Sequence, residues 1–411
     1  MVFKSFSRLV DRKAFSKGRL KTGEHGMASG ITRTITGELT LTDRYELTAN
    51  DDLLEISSAV INLNSPAGEI FTNEGDDTVT ITDSTIDAQA ENLSFFLGSG
   101  SDTLVLNNST LNAPILTGSG NDLVRITGNA QSKVILTKRA SSPTLSLGAN
   151  DDILELGAIL EGDGDIDFGT GNDTLRFDGG SLLTTGSISK FSNLQVTAGG
   201  GTLGRNLEIS GDQITITLGG NLTGTDNSKQ ISIAGEKIFF NTANNVKMNI
   251  GFSIAEAIFT HMDGGTLEIN GCEGYAFLAD SSSVSLHDMV IVNAGGGLKG
   301  TDTSWSISNS NFSNSLAAAV LTGGTLDLIN VGVSNNRSSS LDLTGTALAG
   351  EYLSFTRNQM NGERQAIGGA IKTNADVNLK NADFISNSAF NASAYAMGGA
   401  IYQSGGEMTL T

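Results

Sequence analysis

The chain has 411 residues, of which 51 are glycine, 3 proline and 38% apolar, with 25 basic against 44 acidic side chains and a formal net charge of −19. The apolar fraction suffices for a large core, while the acidic excess argues against binding to nucleic acid or to an anionic membrane surface. The single cysteine, Cys272, excludes an intramolecular disulfide and a cysteine-rich zinc site, and no apolar run approaches the roughly 18 residues of a membrane-spanning helix.

Residues 1–26 form a separate basic block with seven Lys or Arg residues and two acidic ones. We predict a disordered basic leader. A secretory signal needs an apolar stretch of about 7 to 15 residues behind the basic ones, and none follows, so no signal peptide is recognisable. A true start near Met27 and a non-standard targeting segment are the alternatives.

A turn motif recurs six times within residues 27–180, and its consensus is GxGxD. Each copy places an aspartate 20 to 30 residues after the last: Asp52, Asp77, Asp102, Asp122, Asp152 and Asp173. Two residues before every aspartate stands a glycine or an asparagine, the residues that best tolerate a left-handed backbone. The motif therefore predicts a tight turn.

Apolar residues alternate at period two on both sides of this turn. In the repeat of Asp102, Phe95 precedes the aspartate by seven residues, and Leu104 and Leu106 follow it by two and four. The other repeats keep the same apolar positions. Such alternation indicates two strands that share one buried face.

Residues 181–263 keep the alternation without a clean turn motif, and the stretch 252–262 fits a short helix as well as strands. Residues 264–411 repeat with a different corner. Two apolar columns lie seven residues apart, with the pairs Val284 and Ile291, Trp305 and Phe312, Leu326 and Val333, Leu348 and Phe355, and Val377 and Phe384. Nine or ten residues after the first column, every repeat has an asparagine that predicts an asparagine ladder: Asn293, Asn314, Asn336, Asn358 and Asn387.

A unit of this length with two or three short strands cannot bury its apolar face alone, so successive units must stack and share one core. A hairpin-connected sandwich does not demand the same residue type at the same corner of every unit. We therefore predict an all-β parallel β-helix (β-solenoid) with coils of about 20–30 residues. Residues 27–411 would form a single domain of three stretches, 27–180, 181–263 and 264–411, truncated at its C-terminus because a further repeat breaks off at Thr411.

Two tetrapeptides recur near the C-terminus. Gly368–Ile371 and Gly398–Ile401 read GGAI, and Phe355–Asn358 and Phe384–Asn387 follow FxxN. In register with the coil period, these pairs resemble the repeats of polymorphic outer-membrane proteins, which are autotransporters. The resemblance covers about residues 350–405. It implies a right-handed parallel β-helix passenger, displayed on or released from the bacterial surface and often adhesive, and a C-terminal β-barrel that exports it, so we expect a passenger fragment.

The turns of residues 27–180 resemble the GxGxD element of repeats-in-toxin calcium-binding proteins, although here the element occurs once per coil instead of about every nine residues. The resemblance implies calcium between successive turns, held by carboxylates and turn carbonyls. The candidate metal ligands are Asp77, Asp102, Asp122, Asp152 and Asp173. Stacked carboxylates repel one another unless cations bridge them or each one caps its own turn, and both alternatives stay open.

Three function classes stay open. The first is an adhesin-like binding rod, extracellular or on the bacterial outer-membrane surface, that binds host or neighbouring-cell proteins or glycans. The second is a carbohydrate-active lyase or hydrolase, by fold analogy alone, although strand alternation already explains acidic side chains such as Asp327, Asp342 and Glu351. The third is a structural spacer. Since no nucleophile elbow, phosphate loop, dinucleotide fingerprint or histidine metal motif occurs, we expect no enzyme.

Overall fold

The computed structural model describes residues 30–64, 68–88, 94–129, 131–140, 143–262, 264–361, 365–391 and 395–411. The predicted basic leader, residues 1–26, lies outside the described residues. The chain forms two compact units. Unit 1 comprises the described residues up to Gly171 together with Thr184–Ile188, and unit 2 comprises Asn172–Leu183 and Ser189–Thr411.

Unit 1 is built from two parallel sheets, and its strands are short because a turn interrupts the chain every few residues. The first sheet contains Thr32–Leu41, Leu53–Leu63, Thr78–Thr82, Thr85–Ala88, Thr103–Asn107, Thr110–Asn112, Leu123–Thr127, Lys133–Leu136, Ile153–Leu156 and Ile159–Gly162. The second contains Tyr45–Glu46, Ile70–Phe71, Phe95–Ser99, Ile115–Ser119, Leu145–Ala149 and Ile166–Asp167. The two-residue strand Ile188–Ser189 falls at the division between the units.

Within unit 1, equivalent strands of successive coils pair in parallel. The column two residues after the aspartates is in register and fully buried: Leu54, Val79, Leu104, Val124 and Leu154. Alternate residues of each strand point inward, so one apolar column per strand position fills the core. The alternation predicted from the sequence is confirmed.

Unit 2 also consists of stacked parallel strands. Its first sheet contains Thr174–Phe177, Ser181–Leu182, Asn193–Val196, Gly201–Leu203, Gln213–Leu218, Leu222–Gly224, Lys237–Thr242, Val246–Met248, Ile258–His261, Leu267–Asn270, Ser283–His287, Met289–Val292, Ser304–Ser313, Thr325–Ser334, Ala347–Thr356, Val377–Ile385 and Met408–Leu410. Its second contains Leu207–Ser210, Gln230–Ala234, Gly251–Ala255, Tyr275–Asp280, Gly296–Thr301, Ala319–Thr322, Leu341–Thr344, Ile371–Thr373 and Ile401–Gln403. Two further pairs are Gln359–Asn361 with Ser388–Phe390, and Gln365–Ile367 with Tyr395–Met397.

The first apolar column predicted for residues 264–411 is confirmed. Its members pair in register and are each at most 2% exposed: Val284, Trp305, Leu326, Leu348 and Val377. In the second column, Phe355 and Phe384 stack with ring centroids 4.9 Å apart and an interplanar angle of 4°. The stretch 252–262 forms strands, not a helix, because its apolar side chains continue the inward columns of the coils on either side.

The asparagine ladder is confirmed for three of its five predicted members. The backbone N–H of Asn336 donates to Asn358 Oδ1 at 3.2 Å, and the N–H of Asn358 donates to Asn387 Oδ1 at 3.0 Å. The amides of Asn358 and Asn387 also donate to backbone carbonyls, at 2.9 and 2.7 Å. Asn336 and Asn358 are at most 1% exposed, so the ladder satisfies buried backbone groups between coils.

The prediction was wrong for Asn293 and Asn314. Both occupy the preceding position, an exposed turn with φ of 54° and 55°, where asparagine tolerates the left-handed backbone. The ladder position in their coils holds Ala294 and Ser315 instead, and Ser315 accepts the Ala294 N–H at 3.2 Å. The ladder position follows the first apolar column by ten residues in every coil, whereas Asn293 and Asn314 follow it by nine.

Both units are therefore all-β parallel β-solenoids, as predicted, with equivalent residues 20 to 30 apart. The right-handed sense of the helix stays a prediction. Within the described part of the chain, no helix has the length and apolar character needed to cross a membrane.

Candidate functional site

The predicted tight turn of unit 1 is confirmed, and close contact between coils is the reason for its glycines. Five of the six residues two before the aspartates have positive φ, from 85° at Asn150 to 157° at Gly171. A Cβ at Gly100 would lie 1.9 Å from the Gly75 carbonyl oxygen of the preceding coil. Any side chain there would force the coils apart.

The aspartates that follow these turns point into the protein and form a continuous hydrogen-bonded column, here called the aspartate ladder: Asp52, Asp77, Asp102, Asp122 and Asp152. Every Oδ1 after the first accepts the backbone N–H of the aspartate one coil earlier, at 2.7 to 2.8 Å. The ladder residues are at most 3% exposed, and so is Asp173, which belongs to unit 2.

This arrangement differs from the predicted own-turn cap. Only at Asp52 do hydrogen bonds within one turn dominate, because the Thr48 N–H donates to its Oδ2 at 2.7 Å. In Asp77, Asp102 and Asp122 the second oxygen, Oδ2, is buried and has no hydrogen-bond partner among the described residues. A buried carboxylate oxygen without a partner makes the ionised form costly.

Burial accordingly raises the pKa of these carboxyl groups. The pKa rises from 3.8 to about 6 in Asp77, about 7 in Asp102 and about 6 in Asp122, with desolvation as the largest cause. Hydroxyls of Thr72 and Thr117 lie beside Asp77 and Asp122 and oppose the rise in pKa, while they donate to the carbonyls of Leu97 and Leu147.

The pKa of Asp102 is raised most because its coil lacks such a hydroxyl. Leu97 occupies the position five residues before Asp102, where the neighbouring coils have threonine. The charges of Asp77 and Asp122 raise the Asp102 pKa further. A carboxyl of this kind exchanges its proton near neutral pH.

A second ladder runs along the exposed side of the same corner, one residue before the first. Asp51 Oδ1 accepts the Asp76 N–H at 2.9 Å, and Asp76 Oδ1 accepts the Ser101 N–H at 2.8 Å. Its hydrogen bonds run in the opposite chain direction to those of the aspartate ladder. At the corners of Asp77 and Asp102, the two ladders therefore bond both backbone N–H groups to neighbouring coils.

Calcium usually takes six to eight oxygen ligands at about 2.3 to 2.6 Å. The aspartate ladder offers one buried, unpartnered carboxylate oxygen in each of three coils, so turn carbonyls would have to complete any calcium site. Within the described residues, no three His, Cys, Asp or Glu side chains are grouped to hold one metal ion. Calcium binding at Asp77, Asp102, Asp122, Asp152 and Asp173 stays a prediction.

A different surface of potential function lies on the second sheet of unit 2. Six outward-facing side chains are in register over successive coils and form what is here called the outward row: Leu278, Lys299, Val320, Asp342, Lys372 and Tyr402. Lys372 Nζ lies 2.9 and 3.0 Å from the two oxygens of Asp342. Lys299 Nζ lies 5.4 Å from the centre of the Tyr275 ring.

The inward row of the same strands stays small or apolar at every coil, with Phe277, Leu298, Ala319, Leu341, Ile371 and Ile401. The outward row was missed in the sequence because loops of unequal length separate its members. An extended alignment of the GGAI tetrapeptides would have found it, since GGLKGT, AAVLT, SSLDLT, GAIKT and GAIYQ share one pattern. The outward residue is the one that directly follows the inward residue of each segment.

The three acidic side chains considered for an enzyme do not share one sheet. Asp342 lies on the second sheet of unit 2, whereas Asp327 and Glu351 lie on the first. Glu351 is 2.8 Å from Lys380 Nζ, and the hydrogen bond from Lys380 lowers the Glu351 pKa. Comparison with protein-family models, with curated proteins and with solved structures finds no match.

Proposed function

We propose that the chain is a β-helical passenger of the autotransporter type, at the cell surface or secreted, that binds proteins or glycans of host or neighbouring cells. The observation that carries this proposal is the contrast between the two faces of the second sheet of unit 2. Its inward row keeps one chemistry at every coil, while its outward row changes from aliphatic to cationic, acidic and aromatic.

A structural spacer needs only short polar side chains on its surface. The outward row instead offers a lysine, a lysine–aspartate pair and a tyrosine on a sheet whose backbone is already hydrogen-bonded. Tyrosine combines a large apolar face with a polar tip, and lysine supplies a mobile charge, so such a row suits recognition of a polar ligand. These features favour a binding protein over a spacer.

A carbohydrate-active enzyme is the second candidate, and less supports it. A glycosidase general acid needs a raised pKa, whereas the Glu351 pKa is lowered by Lys380. In unit 2, the cavity bordered by Leu298, Ile307 and Phe312 has a volume of about 10 Å³ and an apolar lining, which is too small for a substrate.

The test is binding of the immobilised full chain to a glycan array and to purified fibronectin, laminin and collagen. We expect at least one ligand to bind, and Lys299→Ala and Tyr402→Ala each to weaken binding at least tenfold. Lys237→Ala, an exposed strand lysine elsewhere in unit 2, is the matched control. Binding to none of the probes, or equal binding by all variants, would contradict the proposal. Release of reducing ends from polygalacturonate by the full chain would favour the enzyme instead.

A further inference from the structure

A tyrosine beside the outward row of unit 2 packs against the backbone of the next coil. Tyr275 pairs with Gly296, and a Cβ at Gly296 would lie 2.3 Å from Cε1 and 2.4 Å from Cδ1 of the Tyr275 ring. Glycine at this position therefore leaves room for the ring, which is half-buried. A ring held in this way is a pre-positioned aromatic surface.

Charged side chains of the outward row lie near this ring. Lys299 Nζ is 5.4 Å from the ring centre, and Lys299 has no acidic partner among the described residues. Burial raises the pKa of Tyr275, and the charge of Asp342 raises it further, so the tyrosine hydroxyl lies within electrostatic reach of Asp342. Asp342 is held by Lys372 at 2.9 Å. The cluster combines an aromatic ring, an unpaired cation and an anchored carboxylate.

A row of hydroxyl groups runs beside the cluster. Thr301, Thr322 and Thr344 follow the outward row by two residues, pair in register from coil to coil and are exposed. Their hydroxyls have no hydrogen-bond partner among the residues that the structure describes. Stacked strands are about 4.8 Å apart, which is close to the length of one sugar unit in an extended glycan. A linear glycan along the coils would therefore meet a new hydroxyl at each unit.

We propose that Tyr275, Lys299 and Asp342 form a subsite for an anionic sugar unit, bearing a carboxylate or a sulfate, of a glycan that runs along the coils. Lys299 pairs with the anionic group, because lysine carries a point charge on a flexible stem. Asp342, fixed by Lys372, accepts hydrogen bonds from sugar hydroxyls. The Tyr275 ring contacts the apolar face of the sugar. This ligand class rests on the binding function proposed above and adds Tyr275 to the residues that carry it.

Charge and surface chemistry favour a glycan over a protein partner at this subsite. The chain has a net charge of −19, so a lysine without an acidic partner is available to an anion from outside. Protein partners place their strongest contacts in well-packed pockets, whereas the apolar cavity of unit 2 is lined by core residues and not by this cluster. The cluster and the threonine row offer hydrogen-bonding groups at coil intervals, which a repeating polar ligand matches.

The experiment is calorimetric titration of the full chain with oligosaccharides of galacturonate, hyaluronan and chondroitin sulfate. Carboxyl-reduced and desulfated forms of the same oligosaccharides are titrated beside them. We expect at least one anionic oligosaccharide to bind, and its uncharged form to bind at least about tenfold more weakly. Removal of the carboxylate alone or of the sulfate alone identifies which anionic group is bound.

Variants test the ring and the cation separately. Lys299→Ala, Tyr275→Leu and Gly296→Ala should each weaken binding at least about tenfold, the last because its Cβ displaces the tyrosine ring. The matched controls are Lys237→Ala, on an exposed strand position, and Gly274→Ala, where a Cβ meets no atom within 4 Å. Both controls should bind as the wild type does. Melting curves by circular dichroism confirm that each variant is folded.

Three results would overturn the anionic-glycan subsite but leave the proposed binding function intact. The first is binding of a protein or an uncharged glycan, dependent on Lys299, with no preference for the anionic forms. The second is binding of an anionic glycan that folded Tyr275→Leu and Gly296→Ala leave unchanged. The third is equally tight binding of poly-glutamate, which would indicate a general site for polyanions. Binding of no probe at all would contradict both the subsite and the binding function.

Discussion

Replacing Asp102 with asparagine tests the energetic cost of the aspartate ladder. Asparagine keeps the Oδ1 that accepts the Asp77 N–H, and it removes the buried charge. The Asp102 pKa of about 7, against 3.8 without burial, means that the folded protein binds this proton more tightly than the unfolded chain. Stability therefore falls as pH rises from 3.8 to about 7 and is flat above.

The magnitude follows from the pKa. Each unit corresponds to about 1.36 kcal/mol, so between pH 5.5 and pH 8.5 ionisation of Asp102 costs unit 1 about 2 kcal/mol. Asp102→Asn lacks this cost, and its stability relative to the wild type should rise by about 2 kcal/mol across the same range. The packing of the new amide adds a constant that does not depend on pH.

Hydrogen–deuterium exchange of strands Phe95–Ser99 and Thr103–Asn107, in chelator and corrected for intrinsic rates, measures the opening free energy of this region. Asp376→Asn is the matched control, since exposed Asp376 also accepts a backbone N–H, from Glu407 at 2.9 Å, but lies in unit 2. A difference between Asp102→Asn and wild type that stays constant from pH 5.5 to 8.5 would refute the reasoning.

Further predictions concern the two ladders and the turns. Asn358→Ala should lower the unfolding free energy of unit 2 by about 2–4 kcal/mol, because it leaves buried backbone groups without partners. The control, exposed Asn378→Ala in the next coil, should change this free energy little. Guanidinium denaturation measures both variants. Gly100→Ala should lower the unfolding free energy by more than about 2 kcal/mol, since its Cβ would meet a carbonyl oxygen at 1.9 Å. Gly274→Ala, whose Cβ would have no atom within 4 Å, should leave the stability unchanged. Equal melting temperatures of the two variants would contradict the close approach of the coils at Gly100. Millimolar calcium should raise the unfolding midpoint in a way that Asp122→Ala abolishes, and the absence of any shift would end the calcium prediction.

Much of the fold could be predicted because its signals are local. Period-two alternation reports which face of a strand is buried, and glycine or asparagine before each aspartate reports a left-handed turn. The columns of Leu104 and Trp305 could be placed in this way without any knowledge of the neighbouring coil. Stacking followed, since no single coil can cover its own apolar face.

The site could not be predicted to the same depth because its contacts join residues 20 to 30 positions apart. The aspartates were recognised, but an inward carboxylate and an outward one have the same sequence signature next to a turn. Whether Asp102 bonds its own turn or the N–H of Asp77 depends on how the coils stack. The ladder position of Ser315, by contrast, could have been found in the sequence, because it follows Trp305 by the same ten residues that separate Asn336 from Leu326.

By itself, the sequence determined that the chain is a parallel β-solenoid, where its turns lie and which columns form its core, since each of these depends on the pattern within one coil. Only the tertiary structure decided the partners of the ladder carboxylates, the outward row of unit 2 and the contact of Tyr275 with Gly296. The physical reason is that hydrogen bonds and pKa shifts depend on which groups meet across coils, and loops of unequal length set that register.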